Sequence, residues 1–194
     1  MKEALAITGG VIGTFSTVPY LIDVVKGKTK PNIVSWSTWT LLMAIATAAA
    51  FAAHAPRSAF LTLGDTFCVF AVVILGLKYG VAKMTLFDAA CQGLAVLGLI
   101  LWLIFNSPSI ALIFSIVVDF VVALPTIKHS WNDPTEETWQ AFAIATVASI
   151  FTLVSLDKYA FTDLAFPAYL LFANGAIATV VVYRRKHKQL SLSR

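Results

Sequence analysis

Charge is what this sequence has least of. Only 12% of its 194 residues are Asp, Glu, Lys or Arg, about half the share of an ordinary soluble domain. With 59% hydrophobic residues, the chain cannot cover a globular surface with solvated side chains, which excludes a typical water-soluble enzyme. Cysteine is nearly absent: Cys68 and Cys91 fall in apolar runs without metal-ligand spacing. They read as small hydrophobes, and no disulfide is expected. His54, His129 and His187 fall at expected helix ends or in the tail and read as solvated, so no metal site is expected. The chain has no H-E-x-x-H, no phosphate-cradling glycine run and no nucleophile triad. Neither catalysis nor a cofactor is therefore expected. The first apolar stretch lacks a cationic leader and a small-residue cleavage site, and reads as a retained helix rather than a signal peptide.

What is present is a series of apolar blocks of about 20 residues, the length that crosses about 30 Å of hydrocarbon. The blocks predict seven membrane helices, at about 4–25, 33–54, 58–79, 86–105, 108–127, 138–156 and 163–183. Between them lie "KGKTKPN", "HAPR", "YGVAKMT", "NSPS", "KHSWNDPTEE" and "DKYAFTD", each carrying the proline, glycine or charge that ends a helix. The loops after the first, third and fifth segments, with the tail, hold eleven Lys and Arg, against three (Lys2, Arg57 and Lys158) on the opposite side. The positive-inside rule then puts the N-terminus outside and the C-terminus in the cytoplasm, and a bacterial inner membrane is the expected location. The +4 net charge reads as juxtamembrane, with the lipid bilayer rather than nucleic acid as partner.

Two stretches echo each other. "TVPYLIDV" ends the first segment and "VSW" opens the second; "ALPTIKHS" ends the fifth and "ETW" opens the sixth. Pro19 precedes Trp36 by 17 residues, and Pro125 precedes Trp139 by 14. The chain therefore reads as two parallel three-helix repeats, at 1–82 and 107–184, joined by a linker helix at 83–106 and followed by a basic tail at 185–194.

This 3+1+3 layout, with Pro at the end of helices one and five and Ser/Thr-Trp at the start of helices two and six, resembles the SWEET and PQ-loop superfamily over nearly the whole chain. Where relatives commonly carry Pro-Gln, this chain has Pro19-Tyr20 and Pro125-Thr126. Prolines inside helices two and six, usual in SWEET transporters, are missing. The resemblance implies an all-α integral membrane carrier that binds a small polar solute between its repeats, a sugar first. It also implies that Asn174, before Gly175, holds substrate hydroxyls from the third helix of its repeat. Asp65 takes the corresponding place in the first repeat as a departure. Carriers of this superfamily often assemble, which leaves a homo-oligomer open.

Each charged residue at depth calls for its own account, since burying one in a membrane costs about 2.5–3.5 kcal/mol on insertion scales. Asp65, Asp119 and Asn174 lie roughly 11–17 Å into their helices, where a solute would bind. Asn donates and accepts while ionised Asp only accepts, so the trio suits a polyol, an amine or a zwitterion, with protons as a candidate co-substrate. The plainer account is that they tie helices together. Asp23 and Asp88 sit near the interface beside Lys26 and Lys83, where solvation or a surface ion pair suffices.

Trp36, Trp39 and Trp139 read either as interfacial anchors or, since Trp36 and Trp39 share a helix face, as a stacking platform or gate. Trp102 reads as part of the aromatic belt. Pro19 and Pro125 read as hinges or as helix terminators, with Tyr20 and Thr126 placed to bond the freed carbonyls. The expected function is a uniporter or proton-coupled carrier working by alternating access. An amino-acid or vitamin-like amine carrier and a receptor or sorting protein of the same fold are the alternatives.

Overall fold

The computed structural model describes residues 1–52, 56–80, 86–105, 108–156, 159 and 161–192. His54, Lys83, Lys158 and Arg194 lie outside the described residues, as do the side chains of Arg57, Asp88, Cys91 and Trp102. Every regular element among the described residues is helical: α1 (Lys2–Ser16), α2 (Val18–Val25), α3 (Ile33–Ala52), α4 (Pro56–Tyr79), α5 (Leu86–Phe105), α6 (Pro108–Asn132), α7 (Trp139–Ser155) and α8 (Phe161–Leu192), with one 3-10 turn at Pro134–Glu136. Since α1 and α2 are separated only by Thr17, the elements form seven rods.

The local chemistry explains the boundaries. Pro19 lies at the start of α2, and its missing N–H and fixed φ suit a helix beginning, while Thr17 between α1 and α2 keeps helical angles (φ −75°, ψ −18°). Gly27, at φ +68°, makes the turn after α2, a conformation that costs a side chain dearly. Asn32 caps α3 by accepting the N–H groups of Val34 and Ser35 at 3.1 and 3.3 Å. Thr138 precedes α7 but makes no side-chain cap. Its hydroxyl instead donates to Asp23 at 3.0 Å and lies 2.6 Å from the Thr29 hydroxyl.

Three expectations change. Pro125 lies inside α6, which runs to Asn132 rather than ending near 127. The last helix continues to Leu192, so the basic tail is helical through that residue. Arg184 and Arg185 pack back on the α6–α7 connection: Arg184 donates to the Trp131 carbonyl at 2.8 Å, and Arg185 to the Pro134 and Glu137 carbonyls at 2.8 and 2.6 Å.

Among the described residues, many large apolar side chains are exposed and several hydroxyls are buried. Ile7, Val11 and Phe15 on α1, Phe67, Phe70 and Ile74 on α4, and Val147, Ile150 and Val154 on α7 are exposed along helical stripes. Meanwhile Ser35, Thr38, Thr126, Ser130 and Thr138 are nearly or fully buried. Water would penalise that inversion and hydrocarbon would not. Lys2–Val25, Ile113–Asn132 and Leu164–Lys188 are long and apolar enough to cross a membrane, and Ile33–Ile45 and Trp139–Ser155 are shorter apolar helices. The chain is thus membrane-associated by length and composition.

Packing pairs α1 with α7, α3 with α4 and α6, α2 with α4, and α8 with α6 and α7. Lipid-solvated helices gain little from apolar burial and depend on close approach. Gly9 supplies it, since a Cβ there would sit 3.1 Å from Phe151 Cβ and 3.2 Å from the Ala148 carbonyl. Gly13, four residues on, faces Ala148, so this small-residue pair, overlooked in the sequence, serves an internal contact. Helix α5 packs on α6 and α3, and its Gln92 amide donates to the Val34 carbonyl at 3.1 Å and to the Thr38 hydroxyl. The buried core lies toward the end where Lys28, Lys30, Arg184 and Arg185 gather: Tyr20, Val24, Trp36, Val72, Phe142 and Val181 belong to one cluster.

Candidate functional site

A cavity of about 350 Å³ lies among α1, α3, α4, α6, α7 and α8. It extends from Trp36 and Phe142 toward Gly9, Thr152 and Phe166, away from the cation-rich end. Asp65, Asp119, Asn174, Trp36 and Trp39 all line it, although they come from four different helices.

Asp119 on α6 is 8% exposed and accepts the Tyr169 hydroxyl of α8 at 2.6 Å and a hydrogen bond from Trp39 of α3. It therefore both lines the cavity and ties three helices, so the two accounts of it hold together. Asp65 on α4 is hydrogen-bonded by Thr14 of α1. Asn174 donates to the Leu170 carbonyl one turn back at 3.0 Å. Asp65 is followed after seven residues by Val72, and Asn174 by Val181; both valines are fully buried in the same cluster.

Trp139 is not among the cavity lining. It begins α7 and packs at the side of the core cluster, whereas Trp36 is the fourth residue of α3. The fourth residue of α7 is Phe142, which does line the cavity. Phe142 follows Pro125 by 17 residues, the same interval as from Pro19 to Trp36.

Tyr20 closes the aromatic floor. Its ring lies 4.5 Å from Trp36 and meets Phe142 edge-on at 6.3 Å, while Trp36 meets Trp39 edge-on at 5.1 Å. The Tyr20 hydroxyl accepts from Trp36 Nε1 at 3.2 Å and donates to Glu137, so its proton does not serve a carbonyl freed by Pro19. Thr126 Oγ1 is buried without a hydrogen-bond partner, so it relieves no carbonyl beside Pro125 either.

Beneath this floor the lysine-rich α2–α3 connection and the acidic α6–α7 connection interlock. The Lys30 N–H donates to the Glu136 carbonyl at 3.1 Å, the Lys30 ammonium pairs with the Glu136 carboxylate, and Thr138 bridges Thr29 and Asp23. Asp23, expected to be a solvated surface carboxylate, is part of this closure.

Sequence reasoning passed over Glu137, in the polar run "TEETW". It is 1% exposed, and burial pushes its carboxyl up to about 8 despite hydrogen bonds from Tyr20 and the Thr138 N–H and the nearby Arg185. A carboxylate two residues before a helix that must pack against α1 was a signal that polarity alone obscured. Tyr169 was missed because a tyrosine in an apolar helix looks like any other bulky residue.

Comparison with family models, curated proteins and solved structures finds no match.

Proposed function

We propose that the chain is a membrane carrier that moves a small polar solute by alternating access, on the SWEET-like plan of two parallel three-helix repeats and a linker helix. The observation that carries this reading is the cavity, which brings Asp65, Asp119 and Asn174 together above an aromatic floor. Helix packing supports the repeat. Exchanging α1/α2, α3 and α4 for α6, α7 and α8 converts α3 on α4 into α7 on α8, α2 on α4 into α6 on α8, and α1 on α7 into α6 on α3. Each of these contacts occurs, and α5 stands outside the exchange, as a linker would. With the cation-rich end in the cytoplasm, the interlocked connections are the inner gate and the cavity belongs to an outward-facing arrangement.

The solute class follows from the donors and acceptors. Asn174, Asp65 and Asp119 suit a hydroxylated solute, and resemblance puts a sugar first. One observation favours an amine as the second reading: the described lining contains two carboxylates and no Lys, Arg or His. Those carboxylates lie beside Trp36 and Trp39, whose ring faces also attract cations. The test is uptake into liposomes by purified protein, with sugars, amino acids and vitamin-like amines supplied separately and with or without a pH gradient. Saturable uptake of one class, lost in Asp65→Asn and Asp119→Asn, is expected. Folded protein that moves none of them refutes the carrier reading.

A further inference from the structure

Glu137 sits where the two halves of the molecule close, between the 3-10 turn and α7 and outside the apolar helices. Groups from every neighbouring element face it. From α2 come the Tyr20 hydroxyl and, through Thr138, the Asp23 carboxylate. From α8 comes Arg185, with Lys188 3.9 Å from Asp133. Alongside is Glu136, which is paired with Lys30 and lies 3.7 Å from His129. Despite these neighbours, Glu137 Oε2 is buried without a hydrogen-bond partner. An ionised carboxylate with a bare, buried oxygen disfavours the closed junction, whereas a neutral acid is tolerated there. The other oxygen is connected to the cavity, since Tyr20 hydrogen-bonds both Glu137 and Trp36 and Trp36 lines the cavity.

We infer that Glu137 is a proton-releasing latch: the closed junction holds its carboxyl protonated, and parting of the α2–α3 and α6–α7 connections exposes it to water and frees the proton. In that step the carboxyl O–H bond breaks, the electron pair stays on the carboxylate and water takes the proton. Closing reverses the sequence, so each closing takes up one proton from the side bearing the cations. The role in transport rests on the carrier reading; the latch itself is a property of the junction. The raised affinity of Glu137 for its proton, with the buried value about 8 against an ordinary 4.5, fits this geometry and sets the pH window.

The experiment uses the full chain in nanodiscs, with Cys68 and Cys91 replaced by serine and spin labels on Lys28→Cys and Thr135→Cys. These two positions are exposed, one on each connection. The distance between labels is read from pH 4 to 9 without any solute. The expected result is a separated population whose ratio to the closed one rises up to about tenfold per pH unit between about 4.5 and 8, then levels. In Glu137→Gln that rise is expected to disappear. A pH-independent distance in the parent protein, or the same rise in Glu137→Gln, overturns the latch. If Glu137→Gln fails to fold, Tyr20→Phe takes its place. Loss of the hydroxyl's bond moves the transition to higher pH, and an unmoved transition overturns the proposal. Because no solute is present, the latch and the carrier reading fail separately. Saturable uptake with an unresponsive junction sinks only the latch, and a responsive junction without uptake of any solute sinks only the carrier.

Discussion

Removing the Tyr169 hydroxyl tests whether Asp119 is held by the bonds drawn for it. The hydroxyl donates at 2.6 Å to Asp119 Oδ2, and Asp119 also accepts from Trp39. Hydrogen bonds to a charged group are worth about 1.5–3 kcal/mol, and loss of one partner leaves the other poorly satisfied. In membranes such bonds average nearer 0.6 kcal/mol, with a maximum near 1.7, because the unfolded helices find other partners. Asp119 is 8% exposed, so screening by water is slight, and Tyr169→Phe is expected to cost about 1–2 kcal/mol. Asp119→Ala removes the acceptor, and in that background Tyr169→Phe should cost less than about 0.5 kcal/mol. The double-mutant cycle therefore predicts a coupling of about 1 kcal/mol, measured by reversible unfolding in detergent micelles. Equal cost of Tyr169→Phe in both backgrounds would refute the reasoning, and Asp119 would then be a cavity carboxylate that the Tyr169 hydroxyl does not hold.

Three further outcomes follow from the geometry. Phe142→Ala is expected to weaken solute binding at least tenfold by titration calorimetry, while Trp139→Ala changes it less than threefold; the reverse order would restore the tryptophan pairing. Gly9→Val places a side chain 3.1 Å from Phe151 Cβ and should cost about 1–3 kcal/mol in the α1–α7 contact, read as a fall in detergent unfolding midpoint. Raising the pH from 5 to 8 should lower the unfolding midpoint, because the folded chain keeps a proton on Glu137 to about 8 while the unfolded chain loses it near 4.5. That stabilisation is fully present below about 4.5, declines by at most about 1.4 kcal/mol per pH unit and is gone above about 8. A Glu137→Gln midpoint with the same pH slope would show that another group is responsible.

The sequence exposed the helices because their constraint is one-dimensional. About 20 apolar residues between polar breaks is a length condition, and the boundaries of α5 and α7 agree with expectation within one residue. What happens past a boundary depends on what waits there. Helix α8 continues beyond its apolar stretch, and along that continuation Arg184 and Arg185 reach the Trp131, Pro134 and Glu137 carbonyls; no local propensity encodes those partners. Helix α6 passes through Pro125, where the nominal signal was a hinge or an end. Pro19 instead falls in the first turn of α2, so the two prolines sit at different places in their helices.

The candidate cavity was legible for a different reason. Asp65, Asp119 and Asn174 were conspicuous because ionisable and amide groups are costly at depth, and cost is visible without knowing the neighbours. Glu137 carries the same cost but lies in a run of polar residues, which reads as a solvated connection. Its burial arises from long-range closure: Lys30 meeting Glu136, Thr29 meeting Thr138 and Thr138 meeting Asp23 draw two connections more than a hundred residues apart over it. Pro19 to Trp36 and Pro125 to Phe142 are both intervals of 17 residues, and both aromatics line the cavity; the second interval ends in no residue type that matches the first, which is why matching tryptophans pointed to Trp139 instead.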